Sequence, residues 1–308
     1  RELAKNYPRG EKFLYSVFSK FSTSDTLDLF EELGVKTYTQ EDGRIFPECN
    51  SAKFVREKIL KHISKQVVKE NVLNIAQINK DYKVKTSKAE YLFSHVVVAT
   101  GGHSDYTLLK NLGIKIIEPR PSLVGLNTKE NFKNLSGTIV KNCQSEGFEG
   151  DLLFTHFGIS GPLIYKISSV KAFDKFPYSI KIDLSPNLEN LQEILNSNPH
   201  KEIKNVLGKY LPHKVASYIL SGLNETEKCH NINGKVRDYI FKKIHDFDLN
   251  IISTNHGEET VTAGGVDLSE INSKTMEVKK LPKIYCIGEL LNIDGFCGGF
   301  NLQNAWST

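Results

Sequence analysis

Four catalytic signatures are missing from these 308 residues. No two of the 22 glycines are separated by a single residue, so a G-x-G-x-x-G dinucleotide fingerprint is absent. No G-x-x-x-x-G-K-[ST] occurs, which removes a P-loop. The nine histidines never form H-E-x-x-H, which removes that class of zinc protease. The stretch LLFTHFGISGP offers G-x-S-G and not the G-x-S-x-G nucleophile elbow, and no acidic residue stands beside His156 and Ser160 to orient a triad. Those residues are read as a β-turn and a pocket wall.

Other shortages narrow the class further. The five cysteines, Cys49, Cys143, Cys229, Cys286 and Cys297, are odd in number and form no C-x-x-C. A disulfide framework and a Cys-rich zinc site are not expected, and a reducing cytoplasm fits best. Apolar runs such as HVVVAT are far too short to span a bilayer, so no membrane partner is expected. The opening RELAKNYPRG carries no apolar h-region, so it is not a signal peptide. It does not begin with Met, and the numbering is read as starting inside a longer protein. Lys and Arg exceed Asp and Glu by only four. A nucleic-acid binder would concentrate its positive charge, so no nucleic-acid partner is expected.

What is present reads as a mixed α/β chain. Residues 11–35 show two helical patterns, the second capped by Ser24 or Asp25 and closed by Gly34. Asp42-Gly43 is a turn, and Ser51 caps a helix running to about Ser64. Val72–Ile78, Tyr82–Thr86 and Glu90–Val98 read as strands. Val96, Val97 and Val98 have the continuous apolar character of a strand covered on both faces. A short helix over 105–113 ends at Gly113. A domain crossing is placed near Pro119–Pro121. Residues 122–186 read as mostly β and 188–247 as helical. IISTN, ETVTAGGVDL and KIYCIGELL then return to β, and NLQNAW closes as a helix.

Two segments resemble each other: 89–102 and 281–299 are each an apolar strand ending in glycines. This predicts a discontinuous domain, 1–120 with 275–308. It is interrupted by a β-rich insert (121–187 and 248–274) and a helical insert (188–247). Thr100, Gly101 and Gly102 follow the first strand, where bare backbone at a strand's carboxyl end can approach a cofactor. Gly288, Glu289, Asp294, Gly295, Gly298 and Gly299 follow the second. An acidic residue there can accept hydrogen bonds from sugar hydroxyls, and a helix N-terminus after two glycines suits a phosphate or an electron-rich ring edge. The plainer alternative is that Glu289 and Asp294 only satisfy local amides.

Several stretches taken together resemble a known family. EDGRIFPECNSAK, HVVVATGGHS, PSLVGL, LLFTHFGISGP, VTAGGVDLSEINSKTME and IGELLNIDGFCGGFNLQNAWS occur in the order found in aminoacetone-oxidase-like FAD-dependent oxidoreductases of bacteria. The resemblance implies an α/β, Rossmann-like FAD domain interrupted by a β-barrel-like insert and a small helical insert. It implies FAD along Thr100, Gly101 and Gly102, and Glu289 and Asp294 near the pyrophosphate and ribityl chain. Gly298, Gly299, Phe300 and Asn301 would offer backbone amides to the flavin ring. It implies flavin N5 hydride chemistry on a small organic substrate and/or NAD(P)H as electron donor; Thr155, His156 and Ser160 are candidates for the substrate side of the pocket. No side chain is singled out as a catalytic base and no metal is expected. The family's N-terminal glycine-rich segment and the loop after Ser104 are absent from this sequence. The alternative is therefore a cofactor-free, inactive relative.

Overall fold

In the computed structural model, which describes residues 1–255 and 261–308, the first two amphipathic patterns become α1 (Glu11–Phe18) and α2 (Thr23–Glu32). Helix α1 buries Leu14 and Val17. The cap of α2 is Ser22 and not the expected Ser24 or Asp25. Asp25 is its third residue, and its carboxylate accepts the Ser22 N–H at 2.6 Å, the reciprocal half of a capping box. Gly34, at φ +72°, ends the helix in the left-handed conformation. A hairpin, β1 (Thr37–Thr39) and β2 (Ile45–Pro47), turns at Asp42-Gly43. Helix α3 (Ala52–Ile63) is capped by the Ser51 hydroxyl, which accepts the Phe54 N–H at 3.2 Å.

Next come β3 (Val72–Ile78), β4 (Asp81–Thr86) and β5 (Glu90–Phe93), an antiparallel three-stranded sheet. The expected strand Glu90–Val98 is in fact two. The chain breaks at Ser94-His95, and β6 (Val96–Val98) joins a different sheet. Strand β5 pairs antiparallel with β4, while β6 pairs in parallel with a strand some 190 residues later. Apolar continuity could not reveal this, because side-chain pattern does not encode which partner the backbone meets. Nor is β6 covered on both faces: Val98 is buried, but Val97 is 57% exposed. Helix α4 (Thr107–Asn111), with Gly113 just beyond it, leads to β7 (Ile116–Ser122).

The chain divides into two compact units, Arg1–Arg120 with Val261–Thr308, and Pro121–Thr260. The second begins with β8 (Leu126–Thr128), β9 (Ile139–Ser145), β10 (Phe148–Phe154) and β11 (Gly158–Ser160). Then follow α5 (Pro162–Val170), β12 (Tyr178–Ile182), α6 (Leu191–Asn196), α7 (Ile203–Leu207), α8 (His213–Ile219), α9 (Gly234–His245) and β13 (Phe247–Thr254). Its six strands pair antiparallel in the order β12-β13-β8-β11-β10-β9. The edge strands β9 and β12 approach each other through paired backbone bonds between Gln144 and Asp183, 3.0 and 2.8 Å. Helix α5 was not anticipated: Pro162 opens it and Leu163, Ile164 and Ile167 bury its inner face. The helices of 188–247 share one core with the sheet, Leu191, Val206, Val215 and Ile240 packing in one cluster with Phe132, Phe154 and Leu163. Each such buried side chain contributes about 1.5–3 kcal/mol.

The chain returns to the first unit as β14 (Val261–Val266), β15 (Ile284–Cys286) and α10 (Phe300–Ser307). Glu259 and Thr260, at the start of the expected ETVTAGGVDL strand, lie outside the described residues. Strand β14 pairs with β7, so it belongs with the first unit although a boundary near 275 was expected. This unit has its own core, including Tyr7, Leu14, Tyr82, Leu109, Ile284, Cys286, Leu290 and Ile293.

Candidate functional site

The two strand-to-glycine segments are brought side by side. Strands β6 and β15 run parallel, with Val96 opposite Ile284, Val97 opposite Tyr285 and Val98 opposite Cys286. The Ile287 N–H continues the ladder to the Val98 carbonyl at 3.1 Å. The pair therefore ends in two adjacent glycine exits, Gly101-Gly102 and Gly288. That is the place where open parallel sheets bind ligands.

The exits differ in what the glycines do. Gly101 (φ +77°) and Gly288 (φ +70°) are left-handed, and a Cβ on either would meet nothing within 4 Å. Thr100 is exposed. Gly102 is buried, and a Cβ there would fall 2.8 Å from the Thr262 hydroxyl and 3.0 Å from the Glu289 carboxyl carbon. Its close approach is thus to protein. The Ser104 hydroxyl donates to the Gly101 carbonyl at 2.9 Å and the Tyr106 hydroxyl to the Gly102 carbonyl at 3.1 Å. Burial first, and the nearby Glu289 charge, push the Tyr106 phenol up. Glu289 commits one oxygen to the Thr262 N–H, 3.1 Å away. Thr262 is only 4% exposed, and its Oγ1 has no hydrogen-bond partner among the described residues. A buried hydroxyl without a partner costs about 1–3 kcal/mol. This unmet hydroxyl lies beside Gly102, at the end of the first strand exit.

The loop from Ile293 to Phe300 is held by the N-terminal segment. Asp294 is fully buried, and the Arg9 guanidinium meets both of its carboxylate oxygens through Nε and Nη2. The Phe296 N–H donates to the Asn6 carbonyl at 2.9 Å, and the Tyr7 hydroxyl to the Phe300 carbonyl at 2.5 Å. A Cβ on Gly10 would lie 2.7 Å from Ile293 Cγ1, so the strap sits directly on the loop. The structure therefore gives Asp294 a partner within the protein. Its carboxylate binds Arg9, a residue that sequence reasoning missed; the visible signal was the turn-forming P-R-G.

Gly295 is a packing glycine. A Cβ there would be 2.8 Å from Phe300 Cβ and 3.0 Å from the Tyr7 ring. Asn301 bonds Gly295 reciprocally, accepting its N–H and donating to its carbonyl, both at 2.8 Å. The Asn301 side chain thus shapes the loop. Gly298 (φ +134°) and Gly299 (φ +88°) are exposed, and a Cβ on Gly299 would enter open space. Gly299 is the N-cap of α10, which has no side-chain cap. The first N–H groups of that helix, from Phe300 on, have no intrahelical acceptor.

Thr155, His156 and Ser160 lie in the second unit and are engaged locally. The Thr155 hydroxyl accepts the Gly158 N–H at 3.1 Å, His156 packs edge-on against Phe157, and the buried Ser160 hydroxyl donates to Tyr165 at 3.2 Å. Gly158 is required because a Cβ would be driven into the Leu126 carbonyl, and Gly161 because one would fall 2.7 Å from the Asp151 carbonyl. The same unit has a hollow of about 490 Å³ beside Gln144, Phe148, Lys181, Asp183 and His245. Its lining is scattered over a hundred residues, beyond the reach of any motif. Among the described residues, no His/Cys/Asp/Glu group could hold a metal, and no helix is long and apolar enough to cross a membrane.

The residues of the first unit fit an FAD in part. The Thr262 hydroxyl, the open exits at Gly101 and Gly288, and the uncapped start of α10 are suited to it, whereas Asp294 and the Asn301 side chain are already engaged. Comparison with known proteins agrees with this Rossmann-like geometry. The "Ribosomal RNA dihydrouridine synthase" of Haemophilus influenzae is 32% identical over 330 residues, covering 96% of this chain and 80% of that protein. The Escherichia coli protein of the same name is 27% identical over 322 residues, with 96% and 80% covered. The "3-dehydro-bile acid delta(4,6)-reductase" of Clostridium scindens is 25% identical over 331 residues, with 96% and 81% covered. Residues 1–308 match the family described as "HI0933-like protein Rossmann domain", and the chain belongs to that family.

Proposed function

We propose that this chain carries the flavin site of an FAD-dependent reductase that saturates a carbon–carbon double bond conjugated to a carbonyl. The observation that supports it most is the parallel β6–β15 pair, which ends in two glycine exits, with the buried, unpartnered Thr262 hydroxyl beside one of them at Gly102. Placement with the aminoacetone-oxidase-like flavoproteins is part of the same reading. When bound, FAD supplies the hydride that reduces the substrate and is itself recharged by NAD(P)H.

The chain's own residues have distinct tasks in this reading. Thr100, Gly101 and Gly102 give bare backbone along the cofactor. Thr262 and the second oxygen of Glu289 exchange hydrogen bonds with its hydroxyls. The N–H groups of Gly299, Phe300 and Asn301 place the positive end of α10 beside the ring edge, where negative charge grows on reduction. Gly288 leaves space at the strand exit, and Gly295 and Gly298 let the loop fold under Phe300. Arg9 and Asp294 hold that loop in place.

The relatives' names share one chemistry. A dihydrouridine is a uridine whose ring double bond has been saturated, and a delta(4,6)-reductase acts on a double bond of a steroid. Where the bond is conjugated to a carbonyl, hydride adds to the carbon β to it and a proton to the α carbon. The higher identity to the two proteins named for ribosomal RNA favours a uracil ring in RNA as substrate. The bile-acid relative, and the small net charge of the whole chain, favour a small conjugated ketone as the second reading.

The test is a purified sample with FAD and NADPH, given either a uridine-containing ribosomal RNA transcript or a steroid enone. A yellow preparation and a two-hydrogen mass gain in one substrate are expected. A colourless preparation that FAD cannot reconstitute would leave the cofactor-free relative as the better account.

A further inference from the structure

The small chain-wide charge conceals a local concentration. Residues 51–95 contain ten Lys and Arg against four Asp and Glu, a net of +6, while the rest of the chain contains 30 against 32. This basic segment lies in the first unit and comprises α3 and the antiparallel sheet β3-β4-β5. Helix α3 buries none of its residues. Of the ten cations, only Lys53 and Lys83 reach a carboxylate within 4.0 Å among the described residues. Arg56, Lys61, Lys65, Lys69 and Lys80 are all exposed. Apolar and aromatic surface is interleaved with them. Leu92 is 63% exposed, and Tyr91 and Phe93 on β5 are partly exposed with near-parallel rings 5.9 Å apart.

We infer that α3 and the β3–β5 sheet form an RNA-docking surface. Exposed, unpaired cations supply the sequence-independent attraction to phosphates, and exposed rings on a sheet provide flat surface for unstacked bases. A membrane-surface helix would need one continuous apolar face opposite a basic one. Here the charge is spread over a helix and a sheet, which suits a polyanion with depth. The choice of RNA rests on the uracil reading above; the location rests on the charge distribution alone.

The test uses fluorescence anisotropy of a labelled ribosomal RNA stem-loop transcript, titrated with protein without NADPH at several salt concentrations. One variant combines Arg56→Glu, Lys61→Glu, Lys65→Glu and Lys69→Glu. The control combines Lys209→Glu, Lys214→Glu, Lys235→Glu and Lys242→Glu, exposed lysines of the second unit. Both sets change the net charge equally. The first is expected to weaken binding at least ~30-fold at physiological salt and to lower the log–log salt slope by about three. The control should stay within about twofold of wild type. Equal losses in both variants, no salt-dependent binding by wild type, or tighter binding to phosphatidylserine vesicles than to the RNA would each overturn the inference. An unchanged urea midpoint shows that the variants are folded. RNA binding without any reduction would count against the reductase reading alone; reduction of a steroid enone without RNA binding would count against this surface alone.

Discussion

Replacing Thr262 by Val separates a structural from a ligand-binding role, because the two predict opposite signs. Valine keeps the shape and the β-branched preference for a strand, and the backbone N–H still reaches Glu289. Only the hydroxyl is lost, and it has no partner among the described residues. The cofactor-free protein should therefore become more stable, by about 1 kcal/mol, since a buried unmet hydroxyl costs about 1–3 kcal/mol. If the hydroxyl bonds FAD, the affinity should fall about tenfold, or about 1.4 kcal/mol. At an FAD concentration of about 100 times the wild-type Kd, bound cofactor adds about 2.7 kcal/mol; a tenfold weaker variant gains only about 1.4 kcal/mol. Urea unfolding with and without FAD measures both quantities, and quenching of flavin fluorescence gives the Kd independently. A variant less stable without FAD, or one with unchanged FAD affinity, would refute the argument that this hydroxyl awaits a ligand.

Four further outcomes follow from the same geometry. Asp294→Asn leaves the Arg9 guanidinium without its counter-charge in a site where Asp294 is wholly buried, and should cost about 3–5 kcal/mol; a melting transition unchanged within error would show that the pair is not structural. Gly299→Val projects a side chain into open space at φ +88°, so it should cost about 1–2 kcal/mol of stability yet abolish flavin retention, and a variant as yellow as wild type would remove α10 from the site. Gly158→Ala should be the most damaging single methyl, because its Cβ meets the Leu126 carbonyl, and soluble, wild-type-like protein would contradict the β8–β11 pairing. Burial pushes the Cys143 and Cys286 thiols up to about 12, from an ordinary value of 9.0. The unfolded chain then releases these protons first, so stability is intact below about pH 9 and falls by about 1.4 kcal/mol per thiol per pH unit toward pH 12; at neutral pH a thiol reagent should label exposed Cys49 and Cys297 well before either.

Much of the local structure was legible because it depends on neighbours in sequence. Ser51 caps α3 and Gly34 closes α2 for reasons contained in a few residues. The shift of the α2 cap from Ser24 to Ser22 shows the limit: Ser22, Ser24 and Asp25 are all competent caps, and the reciprocal bond chooses among them. The segment Glu90–Val98 reads as one strand because aromatic and β-branched residues stand on both sides of Ser94-His95, whereas its two halves are recruited by different partners. Helix α5 escaped notice because its nine residues, PLIYKISSV, span under three turns and lie between stretches that read as strands. The Arg9–Asp294 pair and the Thr262 hydroxyl were invisible for a different reason. Ion pairing across 285 residues leaves no spacing to read, and an unmet hydrogen bond is a property of surroundings.

The amino-acid order by itself determined the alternation of helices and strands, the two apolar strands that end in glycine, and the concentration of positive charge over 51–95. Those features follow from side-chain periodicity, from the left-handed turns that glycine permits, and from simple counting. Tertiary structure alone decided that the two strands lie parallel and adjacent, that Asp294 answers Arg9, and which glycines leave space and which are packed shut. Such outcomes depend on which distant backbone arrives alongside, and burial then sets whether each polar group is met or left waiting.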